Sequence, residues 1–380
     1  MENFIFHNPT KIIFGENTIT SIGKEINKAG IKNILLLAGA GSIKRNGVYD
    51  QVVSSLGVNK IEFVEHWGVR ANPSLKHALE GIKIVMENKL EAVLAVGGGS
   101  VIDEGKSIAA GYYLDNLWDV FERKAIINKA LPIFTILTLS GTGSEMDPHA
   151  VITNDEENKK WPIGSPLLYP KVSIIDPTVQ MSLPWEQTVY GAIDAMSHLM
   201  EFYFMGTEPE ATIAIDESLF KTIIKSVDQL QANQKDYNAR ANLAWAATLA
   251  LNGLSGISLG GGDWATHRIE HSISAFHPEV AHGAGLAVIF PAWVKYVNQN
   301  NPSQFLRWAQ NVWNSGSIED AIEAMIKKYK SWNAPVSLRD LNISGDEFPV
   351  LASYAVMDGT LGFVKKLNKN DVENILLLAN

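Results

Sequence analysis

Ala92-Val93-Leu94-Ala95-Val96-Gly97-Gly98-Gly99-Ser100 joins a short apolar run to a glycine turn, and Val101-Ile102-Asp103-Glu104-Gly105-Lys106 continues as a helix-permissive segment. A β-branched run without polar alternation reads as a strand covered on both faces, the signature of a parallel sheet between helices. The same pattern recurs upstream and downstream. Lys32-Asn33-Ile34-Leu35-Leu36-Leu37-Ala38 runs into Gly39-Ala40-Gly41-Ser42, and Pro132-Ile133-Phe134-Thr135-Ile136-Leu137-Thr138 leads to Ser140-Gly141-Thr142-Gly143-Ser144. Val172-Ser173-Ile174-Ile175-Asp176-Pro177 is a fourth candidate strand, and helical patterns such as Leu75 to Asn88 separate the strands. Near the start, Phe4 to Phe6 and Lys11 to Phe14 flank Asn8-Pro9-Thr10 and form a candidate small hairpin.

After Pro184 the pattern changes. Thr188 to Tyr203, Glu208 to Ser226, Tyr237 to Leu251 and Trp264 to Ala275 read as helices, with no comparable strand signal. The expected organisation is an α/β domain over residues 1–183 and an all-helical domain over 184–380. A chain of 380 residues exceeds one ordinary core and accommodates two.

Composition narrows the function classes. With 46% hydrophobic and 19% charged residues the chain is globular rather than disordered. A net charge of −9 and the lack of a basic run interleaved with aromatics argue against a nucleic-acid partner. The first residues, Met1 to His7, carry neither a basic region nor a long apolar stretch, so no signal peptide is expected. The most apolar stretch, Ala241 to Leu259, contains Asn242, Asn252, Gly253 and Gly256 and reads as a buried helix and turn rather than a membrane span. A soluble cytoplasmic protein is the expectation.

Open parallel sheets bind ligands beyond the carboxyl ends of their strands, where backbone N–H groups are free. Gly97-Gly98-Gly99-Ser100 opening a helix lets a phosphate approach the backbone and meet the positive end of the helix. Neither GxGxxG nor GxxxxGK[ST] is present, and any one such turn reads more readily as plain structure; three at successive strand ends point to a nucleotide. NAD-selective sites place an acidic residue after an early strand to bind the adenosine ribose. Here Gly39-Ala40-Gly41-Ser42 is neutral and is followed by Lys44 and Arg45, which favours NADP(H) over NAD(H).

Asp194 and His198 lie at i,i+4 spacing in a helix-permissive run, so their side chains share one face. Alone, the pair reads as an ion pair as readily as half a metal site. His267, His271, His277 and His282 follow, and a chain with no Cys must hold any metal by His and carboxylates. Such a donor set suits Zn²⁺ or Fe²⁺ better than Ca²⁺ or Mg²⁺.

Together these elements resemble the iron-containing (group III) alcohol dehydrogenases, near the butanol dehydrogenase and broad aldehyde reductase branch. The resemblance rests on Gly97-Gly98-Gly99-Ser100 with Asp103, Gly141-Thr142-Gly143-Ser144-Glu145, Asp194 with His198, His267 with His271, and His282-Gly283, and it runs from Phe14-Gly15 to Pro291. It implies a Rossmann-like nucleotide-binding domain followed by a helical metal-binding domain, the dehydroquinate synthase-like architecture. It also implies Asp194, His198, His267 and His282 as ligands of one divalent Fe²⁺ or Zn²⁺. The gap from His267 to His282 is one residue longer than the family's, which points to an insertion around His277-Pro278-Glu279 and leaves His277 as an alternative fourth ligand.

By the same resemblance His271 lies near the nicotinamide as a candidate proton relay, with a structural hydrogen-bonded role left open beside it. Ser42 and its neighbours Gly39, Ala40 and Gly41 would meet the adenosine ribose. Asn72 and Gly97, Gly98, Gly99 and Ser100, with Asp103, would serve the pyrophosphate region. Thr138, Thr142 and Ser144 would flank the cofactor, and Lys160 would contact it, although Lys159 is adjacent. The implied activity is reversible reduction of small aldehydes to primary alcohols such as butanol by a homodimer. Glycerol dehydrogenases and dehydroquinate synthase-like lyases share the broad architecture and remain rivals. So does a zinc peptidase reading of His267-Arg268-Ile269-Glu270-His271 as H-x-x-E-H, and a non-enzymatic nucleotide- or metal-binding module.

Overall fold

Leu35 and Leu37 point to one side of their strand, Leu36 and Ala38 to the other, and all four are fully buried in separate apolar clusters. A strand buried on both faces requires helices on both faces. The computed structural model describes Met1–Asn380 and shows that arrangement. In chain order its first elements are β1 (Lys11–Phe14), α1 (Ile22–Lys28), β2 (Asn33–Gly39), α2 (Ser42–Arg45), α3 (Val48–Val58), β3 (Glu62–Val69), α4 (Leu75–Asn88) and β4 (Ala92–Gly97). There follow α5 (Gly99–Gly111), α6 (Trp118–Phe121), β5 (Ile133–Leu137), β6 (His149–Asn154), β7 (Lys159–Gly164) and β8 (Val172–Ile175).

Six strands form a parallel sheet in the order β1-β8-β5-β4-β2-β3. Ile22, Ile26, Val52 and Leu56 of α1 and α3 cover one face, while Ala78, Ile82, Ile102 and Ile108 of α4 and α5 cover the other. From β4 the chain moves on to β5, and from β2 it moves the opposite way to β3. The carboxyl ends of the adjacent β2 and β4 therefore flank the point where strand order reverses, the usual place for a ligand in an open α/β sheet. The two turns Gly39–Ser42 and Gly97–Ser100 sit there.

The expected amino-terminal hairpin does not form. Phe4 to Phe6 are not strand, and β1 instead pairs in parallel with β8, Lys11 opposite Val172 and Phe14 opposite Ile175. The strand β3 escaped the sequence reading because Glu62, Glu65 and His66 interrupt its apolar run. The antiparallel pair β6–β7 escaped it as well.

The remaining helices are α7 (Trp185–Tyr203), α8 (Glu210–Ala232), α9 (Tyr237–Ala250), α10 (Ala265–Phe276), α11 (His282–Val297), α12 (Pro302–Trp313), α13 (Ile318–Ser331), α14 (Phe348–Ala355) and α15 (Lys369–Leu378). Packing divides the chain into two units. One comprises His7–Leu183 with Lys235–Ala244, the other Met1–Phe6 with Pro184–Gln234 and Trp245–Asn380. In the second, α7 packs on α8 and α11, and α10 lies against α11 and α14. Past α9 the chain turns through residues 251–262, and no helix is long and apolar enough to cross a membrane.

Candidate active site

In the sheet unit, Gly98 caps α5 immediately after β4. A Cβ on Gly99 would stand 2.3 Å from the Thr142 side chain, so only glycine lets the β5 loop close onto the first turn of α5. The loop is tied down by hydrogen bonds. Thr138 N donates to Gly97 O at 2.9 Å, and Ser144 N donates to Thr142 Oγ1 at 3.2 Å. Ser144 Oγ donates to Asp103 Oδ1 at 2.6 Å, while Val151 N donates to Asp103 Oδ2 at 3.0 Å. Both Asp103 oxygens thus fasten α5 to its neighbours. Burial pushes that carboxyl up to about 6, with Asp147 adding to the rise and Lys106 opposing it.

Asn72 is buried with a left-handed backbone, φ 55°, and its carbonyl accepts from Arg70 Nε at 3.2 Å. Strand alternation in β7 separates the two adjacent lysines. Lys160 is buried, whereas Lys159 pairs with Glu157 and stands 4.8 Å over the Trp161 ring. Sequence reading overlooked Lys106, which is fully buried and donates from Nζ to Asp147 Oδ1 at 2.6 Å and to His149 O at 2.7 Å.

In the helical unit, α7 presents Asp194 and His198 on one face, α10 contributes His267, and His282 is the first residue of α11. Asp194 Oδ1 is buried and accepts no hydrogen bond. Around it stand His198 Nε2 and His282 Nε2, each at 3.6 Å, and His267 Nε2 at 4.0 Å. A buried carboxylate oxygen facing three imidazole nitrogens beyond hydrogen-bond reach is costly unless something satisfies it. Donors sharing one ion through bonds of about 2 Å stand roughly 3–4 Å apart. Asp194, His267 and His282 offer donor atoms within 4.8 Å of one another, and His198 Nε2 stands beside Asp194 as a fourth, so the set fits a divalent cation. Oxygen with neutral nitrogens is the chemistry of a Zn²⁺ or Fe²⁺ site.

Two buried glutamates aim the imidazoles. Glu201 Oε1 accepts from His267 Nδ1 at 2.6 Å and from Thr266 Oγ1, and its Oε2 accepts from Trp264 N at 2.6 Å. Burial raises the Glu201 carboxyl to about 7 despite these bonds. Glu270 Oε2 contacts His282 Nδ1. A partner on Nδ1 fixes the ring orientation and leaves the Nε2 lone pair for a ligand. Gly283 makes this possible, because a Cβ there would lie 2.1 Å from Tyr190 O; its absence allows α11 to close on α7. Neither glutamate was singled out from sequence as an orienting group. A signal existed: Asp194, His198 and Glu201 form an i, i+4, i+7 stripe, and Glu270 lies at i+3 from His267.

His271 is buried with its ring centre 5.4 Å from that of His282. His277 lies apart from the Asp194 cluster, with Nε2 2.7 Å from Glu347 Oε2 and Nδ1 3.5 Å from Glu279. The alternative fourth ligand therefore has both ring nitrogens facing carboxylates other than Asp194. Glu270 of the H-x-x-E-H stretch is fully buried and engages His282, where the peptidase reading would have it act on a substrate water.

Residues 9–177 match the family model described as iron-containing alcohol dehydrogenase, and residues 188–379 match the C-terminal model of the Fe-containing alcohol dehydrogenase family. The chain is 42% identical to the NADH-dependent butanol dehydrogenase A of Clostridium acetobutylicum, over 99% of both chains. It is 34% identical to the NADPH-dependent aldehyde reductase of Escherichia coli, over 92% of both. A crystal structure of the NADH-dependent butanol dehydrogenase A of Thermotoga maritima superposes with a TM-score of 0.98 at 49% identity, covering 100% of this chain and 99% of that one.

Proposed function

From the premise that this chain belongs to the iron-containing alcohol dehydrogenase family, and is thus an oxidoreductase, we propose that it interconverts small primary alcohols and aldehydes such as butanol and butanal. The observation that carries the proposal is the unsatisfied Asp194 Oδ1 ringed by three imidazole Nε2 atoms. In this reading Asp194, His198, His267 and His282 hold one divalent cation, Fe²⁺ or Zn²⁺. When bound, such an ion supplies a Lewis acid for the substrate oxygen, on which charge develops as hydride leaves or arrives. Glu201 and Glu270 keep His267 and His282 aimed, so the donor set need not reorganise during the reaction. His271 is the candidate to relay the alcohol proton.

The sheet unit supplies the dinucleotide cradle. Gly97, Gly98, Gly99 and Ser100 place the amino end of α5 under the pyrophosphate, with Asn72, Thr138, Thr142, Ser144 and Lys160 around the cofactor. Asp103 acts by holding Ser144 and β6 in place. The turn Gly39-Ala40-Gly41-Ser42 carries no acidic side chain to repel a 2′-phosphate, which supports use of NADP(H) beside NAD(H). The nicotinamide carries out the redox chemistry, and the protein's part is binding and orientation. A homodimer belongs to the same reading, supported by the edge position of β1, as does a cytoplasmic location.

The test is oxidation of NADH and NADPH with butanal by chelated protein, before and after Fe²⁺ or Zn²⁺ is restored. Turnover that returns with the ion supports the reading, and no turnover with either ion or any small carbonyl removes it.

A further inference from the structure

The end of β3 runs beside the turn assigned to the adenosine ribose, with Trp67 opposite Ala38 and Val69 opposite Gly39. Glu65 and Trp67, two apart on the strand, share one face. One Glu65 carboxylate oxygen accepts from the Tyr49 hydroxyl and the other from Trp67 Nε1 at 2.7 Å. Burial pushes the Glu65 carboxyl up, but these hydrogen bonds and the nearby Lys44 charge outweigh it and hold the group below its ordinary range. The hydrogen bond to Glu65 in turn raises the Tyr49 phenol to about 12.

Lys44 lies in α2, directly after the turn. Its ammonium stands 4.1 Å from the centre of the Trp67 ring and 5.0 Å from that of Tyr49. A cation over two rings that both donate to one carboxylate is held by the ring faces and by the charge behind them. Glu65 balances the Lys44 charge within the cluster, and Asp50, whose charge also acts on the Tyr49 phenol, adds no further cation. Arg45 is the other cation that follows the turn; both side chains are exposed, but only Lys44 stands over the two rings.

We propose that Glu65 is a positioning residue for cofactor choice. Acting through Tyr49 and Trp67, it holds Lys44 and cancels its charge, so the turn takes an adenosine ribose with a free 2′-hydroxyl in preference to one bearing a 2′-phosphate. The proposal rests on the nicotinamide-dinucleotide reading above. It reverses the weight that the neutral turn and Lys44, seen in sequence alone, place on NADP(H).

The experiment is equilibrium binding of NADH and of NADPH to the full chain without substrate, followed by fluorescence of the reduced nicotinamide. It compares the unaltered protein with Glu65→Gln, Lys44→Ala and the double variant. The unaltered protein binds NADH more tightly. Glu65→Gln tightens NADPH roughly tenfold, the scale of one charge-assisted contact, and leaves NADH within about twofold. Adding Lys44→Ala abolishes that gain, whereas Lys44→Ala alone changes neither affinity more than about twofold.

An unchanged NADPH-to-NADH ratio in folded Glu65→Gln overturns the proposal, as does a gain that survives Lys44→Ala. Should Glu65→Gln not fold, a tenfold loss of NADPH binding in Lys44→Ala alone overturns it, because Lys44 would then be serving the 2′-phosphate. Unaltered protein that binds NADPH more tightly overturns it too. Failure of the unaltered protein to bind either dinucleotide defeats the nicotinamide reading itself.

Discussion

Nδ1 of His267 lies 2.6 Å from Oε1 of Glu201, a carboxylate with no solvent exposure that comes from the same helix as Asp194. One helix thus supplies a proposed ligand and also the group that aims another ligand toward it. Removing a carboxylate that orients a ligating imidazole costs about 10–100-fold in metal affinity in other sites. Glu201→Gln is expected to lose affinity for Zn²⁺ on that scale, read by competition with a chelating dye. Affinity equal to that of the unaltered protein would show the bond to be structural only.

Glu270 plays the corresponding part for His282. Glu270→Gln is expected to weaken ion binding by the same order, about 10–100-fold, and aldehyde reduction is expected to recover when excess ion is supplied. A variant that stays inactive at saturating ion would instead make Glu270 a participant in the chemistry.

Gly283 sets the approach of α11 to α7. Gly283→Ala places a methyl group against Tyr190 O, 2.1 Å away before relaxation, and is expected to destabilise the fold by about 1–3 kcal/mol. Chemical denaturation measures it. A stability within error of the unaltered protein would mean that α11 shifts without cost.

Asp216 of α8 is fully buried, and neither of its oxygens has a hydrogen-bond partner. Burial, with Glu217 adding to it, raises its carboxyl well above the ordinary range. The folded chain therefore holds a proton that the unfolded chain releases near pH 3.9. Stability attributable to this group falls as pH rises from that point through the folded value. Asp216→Asn removes the dependence and is expected to be more stable at neutral pH by about 1–3 kcal/mol. Denaturation midpoints across pH 4–8 that run parallel in the two proteins would contradict this.

The sheet was legible where strands are uniformly apolar, as in Ile34–Ala38 and Ala92–Val96, because burial on both faces leaves no polar position. It was not legible in β3, where Glu65 and His66 serve side-chain contacts rather than strand patterning. The histidines of the site stood out because the chain has few and no Cys competes with them. Glu201 and Glu270 did not, since a glutamate on a helix reads first as solvated surface and only packing reveals it as buried. Lys44 shows the converse. Its position after the turn was plain, but the rings of Tyr49 and Trp67 that engage it come from elements whose register no local pattern announces.

In the proposed reading Asp194 and its three imidazoles hold one divalent ion on which turnover depends. The most direct measurement is the metal content of chelated, Zn²⁺- or Fe²⁺-reconstituted protein beside Asp194→Ala, with butanal reduction followed on the same samples. About one ion per chain is expected in the unaltered protein, with loss of both ion and turnover in a folded Asp194→Ala. Equal metal content in the two proteins, or full turnover in the variant, would contradict it.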